Sequence, residues 1–268
     1  MGIFDFLKRE IKTEEVPTAP PKIEGKILLV DDYAVHWTSV INELRDVWGC
    51  TVGEPLGIQE FTWFVEVDGY RIGIASHSTT PVPQEELQEV APYNYFWANA
   101  AEETTHHRLH IAVCIMHTGK NPMVENLIFT KVVASILRHT VSIGFYMPSR
   151  RLLISKEFYL NYTNTITEGH LPLFNWIYFG SITNHLNESR SFYTIGLKDF
   201  NKKEIEIVDS IQSSRELSKV LVDTVEYILL NDVVLVDGQF IELSEGHTLQ
   251  IQVSKGVHLH GETIQLVC

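Results

Sequence analysis

Five side chains able to ligate a metal crowd into a short stretch: Glu102, Glu103, His106, His107 and His110. On a continuing helix, Glu102–His106 and Glu103–His107 are four residues apart, and His106–His110 would be a third such pair. Zinc hydrolases use His pairs at this spacing because one helical face then offers two nitrogens to one ion. Two features count against that chemistry. The catalytic Glu of the usual motif lies between its two His, where this sequence has His107 and Arg108, and a strand pattern begins at Leu109 and takes His110 off the helical face. A different chemistry is written at His117–Asn121 (HTGKN), between an apolar strand and a buried helix. Free N–H groups at a helix start, with Gly119 and Lys120 beside them and Asn121 as cap, would hold a small anion. This is no P-loop, since Cys114 stands where the first glycine is required and Asn121 replaces Ser or Thr.

The other suggestive arrangements are weaker. His258, His260 and Glu262 alternate and would share one face of an unbroken strand, yet Gly256 and Gly261 indicate a turn. Ile27–Asp32 (ILLVDD) imitates the opening of a phosphoacceptor receiver domain. That fold needs parallel strands and a phosphoacceptor Asp ending a later one, whereas Asp68, the nearest later candidate, falls in a hairpin turn. Cys114 lies within an apolar strand and reads as a small core residue. Neither G-x-S-x-G nor G-x-G-x-x-G occurs.

The elements that must position these residues follow from periodicity. Lys26–Val30 is a strand, and Asp32 is placed to cap a helix carrying Trp37, Val40, Ile41, Leu44, Val47 and Trp48 on one face. Phe61–Val67 and Tyr70–Ser76 flank Asp68-Gly69, a strong hairpin signal. A helix from Pro92 to about Thr105 and a central strand at Leu109–Met116 follow. The order β-α-β-β-α-β predicts a ferredoxin-like split unit. Asn121 and Pro122 open a buried helix, and Ser142–Tyr146 is a further strand.

The second half reads as paired strands at Leu173–Ile182 and Ser191–Ile195, then a strand at Glu204–Val208. A capping box at Ser213–Glu216 opens the next helix. Val233–Val236, Phe240–Leu243, Leu249–Val253 and Thr263–Val267 form a closing antiparallel meander. The expectation is an α+β protein: an amphipathic leader helix and Pro-rich linker at 1–21, then halves at 22–150 and 151–268 packed as one compact unit.

Composition excludes several functions. The chain has 268 residues, 21 Lys+Arg against 34 Asp+Glu, and a formal charge of -13. That charge disfavours nucleic acid and anionic membranes and suits a basic protein partner. Three scattered cysteines without a C-x-x-C pair indicate a reducing cytoplasm, and no apolar run is long enough to span a membrane.

His170–Ser181 (HLPLFNWIYFGS) and Tyr193–Ile207 (YTIGLKDFNKKEIEI), with the Gly-Ile-Phe-Asp-Phe start and the passage at Trp97–Val113, carry a resemblance. They are similar to an uncharacterised bacterial family, domain of unknown function 4261, over most of the chain from about residue 26. The resemblance implies a bacterial cytosolic protein and supplies no catalytic residue, cofactor or reaction. The reading is therefore a non-enzymatic binding or interaction module, an adaptor or immunity-like protein with an acidic surface and no predicted cofactor. The alternatives are a zinc- or other divalent-metal-dependent hydrolase built on Glu102, Glu103, His106, His107 and His110, and a small-anion sensor at His117, Gly119, Lys120 and Asn121.

Overall fold

A strand apolar at consecutive positions must be covered on both faces. β1 (Ile23–Leu29) meets that need in the middle of a seven-stranded sheet. The computed structural model describes residues 23–31, 35–59, 62–75, 81–94, 96–116, 121–242 and 248–267. The expected leader helix and linker, Asp32 and the 117–120 part of the anion loop lie outside them. Helix α1 (Trp37–Asp46) precedes β2 (Leu56–Gln59), β3 (Thr62–Val67) and β4 (Tyr70–Ala75). Asp68 and Gly69 join β3 to β4 with φ of 49° and 78°, the left-handed pair a two-residue hairpin turn requires.

Helix α2 (Gln84–Val90) precedes the helix expected at Pro92–Thr105, which is itself broken into a 3-10 turn at Ala91–Tyr93, α3 (Ala100–Glu103) and a second 3-10 turn at Thr104–His106. β5 (Leu109–Ile115), α4 (Pro122–Arg138), β6 (Ser142–Met147), β7 (Leu152–Ser155) and α5 (Lys156–Thr163) follow. The sheet order is β2-β3-β4-β5-β1-β6-β7, antiparallel throughout.

This corrects the ferredoxin-like expectation. A split βαβ unit sets its first strand directly beside the third, in parallel. Here β5 lies between β1 and β4 and pairs antiparallel with both. β1 and β5 both carry consecutive buried residues, and side by side each shields an edge of the other. β6 then takes the second edge of β1.

The chain divides into compact units at Asn175/Trp176, within the short helix α6 (Leu173–Trp176). A boundary after residue 150 would have cut the β6–β7 hairpin, in which Met147 faces Leu152.

Unit 2 contains β8 (Tyr178–Asn184), β9 (Ser189–Ile195), β10 (Ile205–Ser210), α7 (Ser214–Leu230), β11 (Phe240–Glu242), β12 (Thr248–Lys255) and β13 (Glu262–Val267). Its sheet runs β11-β12-β13-β10-β9-β8. The closing meander is present but shorter than expected, because Val233–Val236 forms no strand. It joins the rest through one parallel pair, β10 with β13. The capping box is formed: the Glu216 N–H donates to Ser213 Oγ, and the Ser213 N–H donates to the Glu216 carboxylate. No described helix is long and apolar enough to cross a membrane.

Candidate functional site

The i, i+3, i+4, i+7 stripe of α1 puts Trp37, Val40, Ile41 and Leu44 over the first sheet. Beneath them, β-alternation aims Trp63 and Val65 to the same side, and Ile74 stands opposite Trp63 across the β3–β4 pair. These residues, with Pro55, Gly57 and Val132, line an apolar cavity of about 220 Å³. Trp37 and Trp63 meet edge to face with centroids 4.2 Å apart. Gly57 faces Trp63 across the β2–β3 pair, and a Cβ built on it would meet nothing within 4 Å. That missing side chain leaves the cavity open. None of the ten lining residues titrates. The cavity can hold an apolar group, and the described residues that line it include no acid, base or nucleophile to act on one. A cavity of about 150 Å³ with such walls stays dry and takes up benzene, so this one accommodates a somewhat larger group.

A buried polar chain fixes the helix that roofs the cavity. Trp48 Nε1 donates to Ser135 Oγ at 3.2 Å, and Ser135 donates to the Glu43 carboxylate at 3.2 Å. The Arg138 guanidinium and His139 Nε2, the latter at 2.8 Å, engage the same carboxylate. Arg138 also lies over the Trp48 ring, 5.4 Å from its centroid. Ser, His and Glu meet here without forming a nucleophile, since Ser135 hydrogen-bonds to the acid and the indole. The sequence offered no signal for this cluster, because Glu43 and Ser135 are 92 residues apart.

The Glu/His cluster is dispersed. The helix ends at Glu103 and tightens to a 3-10 turn, which destroys the assumed four-residue spacing. Glu103 Oε2 accepts from Trp97 Nε1 at 2.9 Å, and His106 is exposed with Nδ1 against its own turn. His107 is buried, its Nδ1 at 2.5 Å from the Thr104 carbonyl and its Nε2 at 3.2 Å from that of Val82. Glu102 is exposed, and His110 belongs to β5. Among the described residues no three His, Cys, Asp or Glu side chains group to hold a metal. Of the anion loop, Asn121 is described. It caps α4 as expected, its Oδ1 accepting from the Met123 N–H at 2.8 Å.

Unit 2 buries two carboxylates on one face of the chain entering and forming β10. Glu204 accepts from Thr194 Oγ1 at 2.8 Å and from the N–H groups of Gly196, Leu197 and Lys198. Burial pushes its carboxyl above the ordinary range, and those four donors hold it back. Glu206 accepts from the N–H groups of Val257 and His258 at 3.0 and 2.8 Å and from Thr263 Oγ1 at 2.9 Å. One acid fastens the β9–β10 turn and the other the β12–β13 loop. Tyr193 faces Glu206 and lies across Gly180, where any Cβ would overlap its ring. Residues 193–267 match the family model of a domain of unknown function, DUF4261. The match supports the assignment drawn from Tyr193–Ile207 and falls wholly within unit 2. The DUF4261 segment thus contains both buried carboxylates and Tyr193. No curated protein and no solved structure matches the chain.

Proposed function

We propose that the chain is a non-enzymatic binding module whose ligand is a small apolar molecule, or the apolar group of a larger one, seated between α1 and the first sheet. The carrying observation is the open cavity of about 220 Å³ walled by two tryptophans and, among the described residues, by no titratable one. A ligand burying about 200 Å² there gains about 5 kcal/mol, a Kd in the range of about 0.1–1 mM without polar anchors. Glu85, Glu86 and Glu89 of α2 and Glu102 of α3 are exposed and give the surface the sign that favours a basic protein partner. A bacterial cytoplasm fits the three scattered cysteines and the family resemblance.

Indole and naphthalene, followed by saturation-transfer NMR and thermal shift, test the cavity. Saturable binding is expected in the parent chain. Gly57→Leu, which fills the space, is expected to abolish binding and leave the melting temperature within about 2 °C. Binding that survives Gly57→Leu, or no binding by either probe, would refute the reading.

A further inference from the structure

The far edge of the DUF4261 segment combines acidic residues with exposed apolar side chains. Between Lys219 and Lys255 the sequence holds six acids, Asp223, Glu226, Asp232, Asp237, Glu242 and Glu245, and no Lys or Arg. The same stretch exposes Tyr227, Leu230, Val234, Val236 and Phe240, the last three by 60% or more. These side chains follow one another from the last turn of α7 to β11. β11 is the terminal strand of its sheet, with β12 on one side and no described strand on the other. Within β11, Phe240 and Glu242 are exposed on one face and Ile241 is buried on the other. Of this acidic group, Asp223 pairs with Lys219 Nζ at 3.2 Å and Asp232 with Lys202 Nζ at 2.6 Å.

We infer that this edge receives an extended segment of a basic protein, added to the sheet as a strand beside β11. Strand addition supplies main-chain hydrogen bonds, and the alternating side chains supply the selectivity. On the outer face, Glu242 calls for Lys or Arg opposite it, and Phe240 accepts a cation over its ring or an aliphatic stem. On the inner face, Ile241 calls for an apolar neighbour. The matching pattern alternates basic and apolar residues. A second copy of this chain is the wrong occupant, because it would bring the same six acids to the same edge. Nucleic acid and anionic lipid are repelled by the same charges.

A fluorescein-labelled peptide of eleven residues alternating lysine and valine, and its glutamate counterpart, would be titrated with the full chain by fluorescence anisotropy. The lysine peptide is expected to bind saturably and to weaken several-fold as salt rises from about 0.05 to 0.5 M. Phe240→Asp is expected to abolish binding. Glu242→Lys should lower affinity for the lysine peptide about tenfold and raise it for the glutamate peptide, an inversion that damage to the fold would not produce. Equal binding of both peptides, no binding of either, or indifference to Glu242→Lys would overturn the inference. So would a dimer in light scattering that Phe240→Asp dissolves.

Discussion

The two units bury opposite chemistry at the places where a site could form. Unit 1 leaves a cavity whose described walls are apolar, open because one strand position is glycine. Unit 2 buries two carboxylates and supplies every one of the donors they face. An empty apolar cavity has room and no reactivity, while a saturated carboxylate is ionisable and has no room. The cavity of unit 1 and the two acids of unit 2 thus offer one each, among the described residues that form them. The difference teaches that the buried acids of unit 2 are fasteners for loops, whereas the cavity of unit 1 is unfilled apolar space.

The largest expected effect tests the fastening role. Glu206→Ala strands the N–H groups of Val257 and His258 and should cost about 3 kcal/mol in urea unfolding. A loss below about 1 kcal/mol would mean that the β12–β13 loop stands without its acid. Next comes Gly180→Ala, expected to cost about 1–3 kcal/mol because Tyr193 must leave its place across β8. Glu43→Gln should be milder, about 1 kcal/mol, since Arg138 and His139 are partly exposed and keep water as an alternative partner. It should still weaken any ligand held under α1, which isothermal titration would register.

A subtler sign belongs to Glu204. Its folded carboxyl titrates above the ordinary value, so the folded state holds the proton more tightly than the unfolded chain. The resulting contribution to stability is complete at pH below the ordinary carboxyl value and is lost as pH rises through the raised one. Glu204→Gln should therefore flatten the pH dependence of unfolding in that window, and an unchanged slope would contradict the assignment. Smallest of all is an effect that should not occur. Burial pushes the thiols of Cys50 and Cys114 up to about 11 and about 12, so in a Cys268→Ser background neither should react with a thiol reagent at pH 8 before unfolding.

Local signals in the sequence translated directly into structure. Asp68-Gly69 made its hairpin, Ser213 and Glu216 their capping box, and Asn121 its cap, because each depends on residues within a turn of one another. What escaped was decided over distance. The order of β1 and β5 depends on which strands need two neighbours, a property of the whole sheet. Glu204 and Glu206 fall in the strand expected at Glu204–Val208, and only the return of residues 257–263 makes the second a fastener. The Glu/His cluster misled for the converse reason: its spacing was meaningful on a helix that ends at Glu103. The cavity was half legible, as the stripe on α1. The vacancy that opens it sits at Gly57, where a missing side chain leaves no mark in a hydrophobic pattern.

The placement of β1 between β5 and β6 also sets a timetable. Leu29 pairs with Leu109, eighty residues later, and Leu28 pairs with Gly144 on the other side. At about 5–20 residues per second, the ribosome takes about 4–16 s to make the interval between β1 and its first neighbour. Ile23, Ile27, Leu28 and Leu29, all buried in the finished protein, spend that time without the strands that cover them. A cell making this chain must shelter its first strand until the middle of the chain arrives.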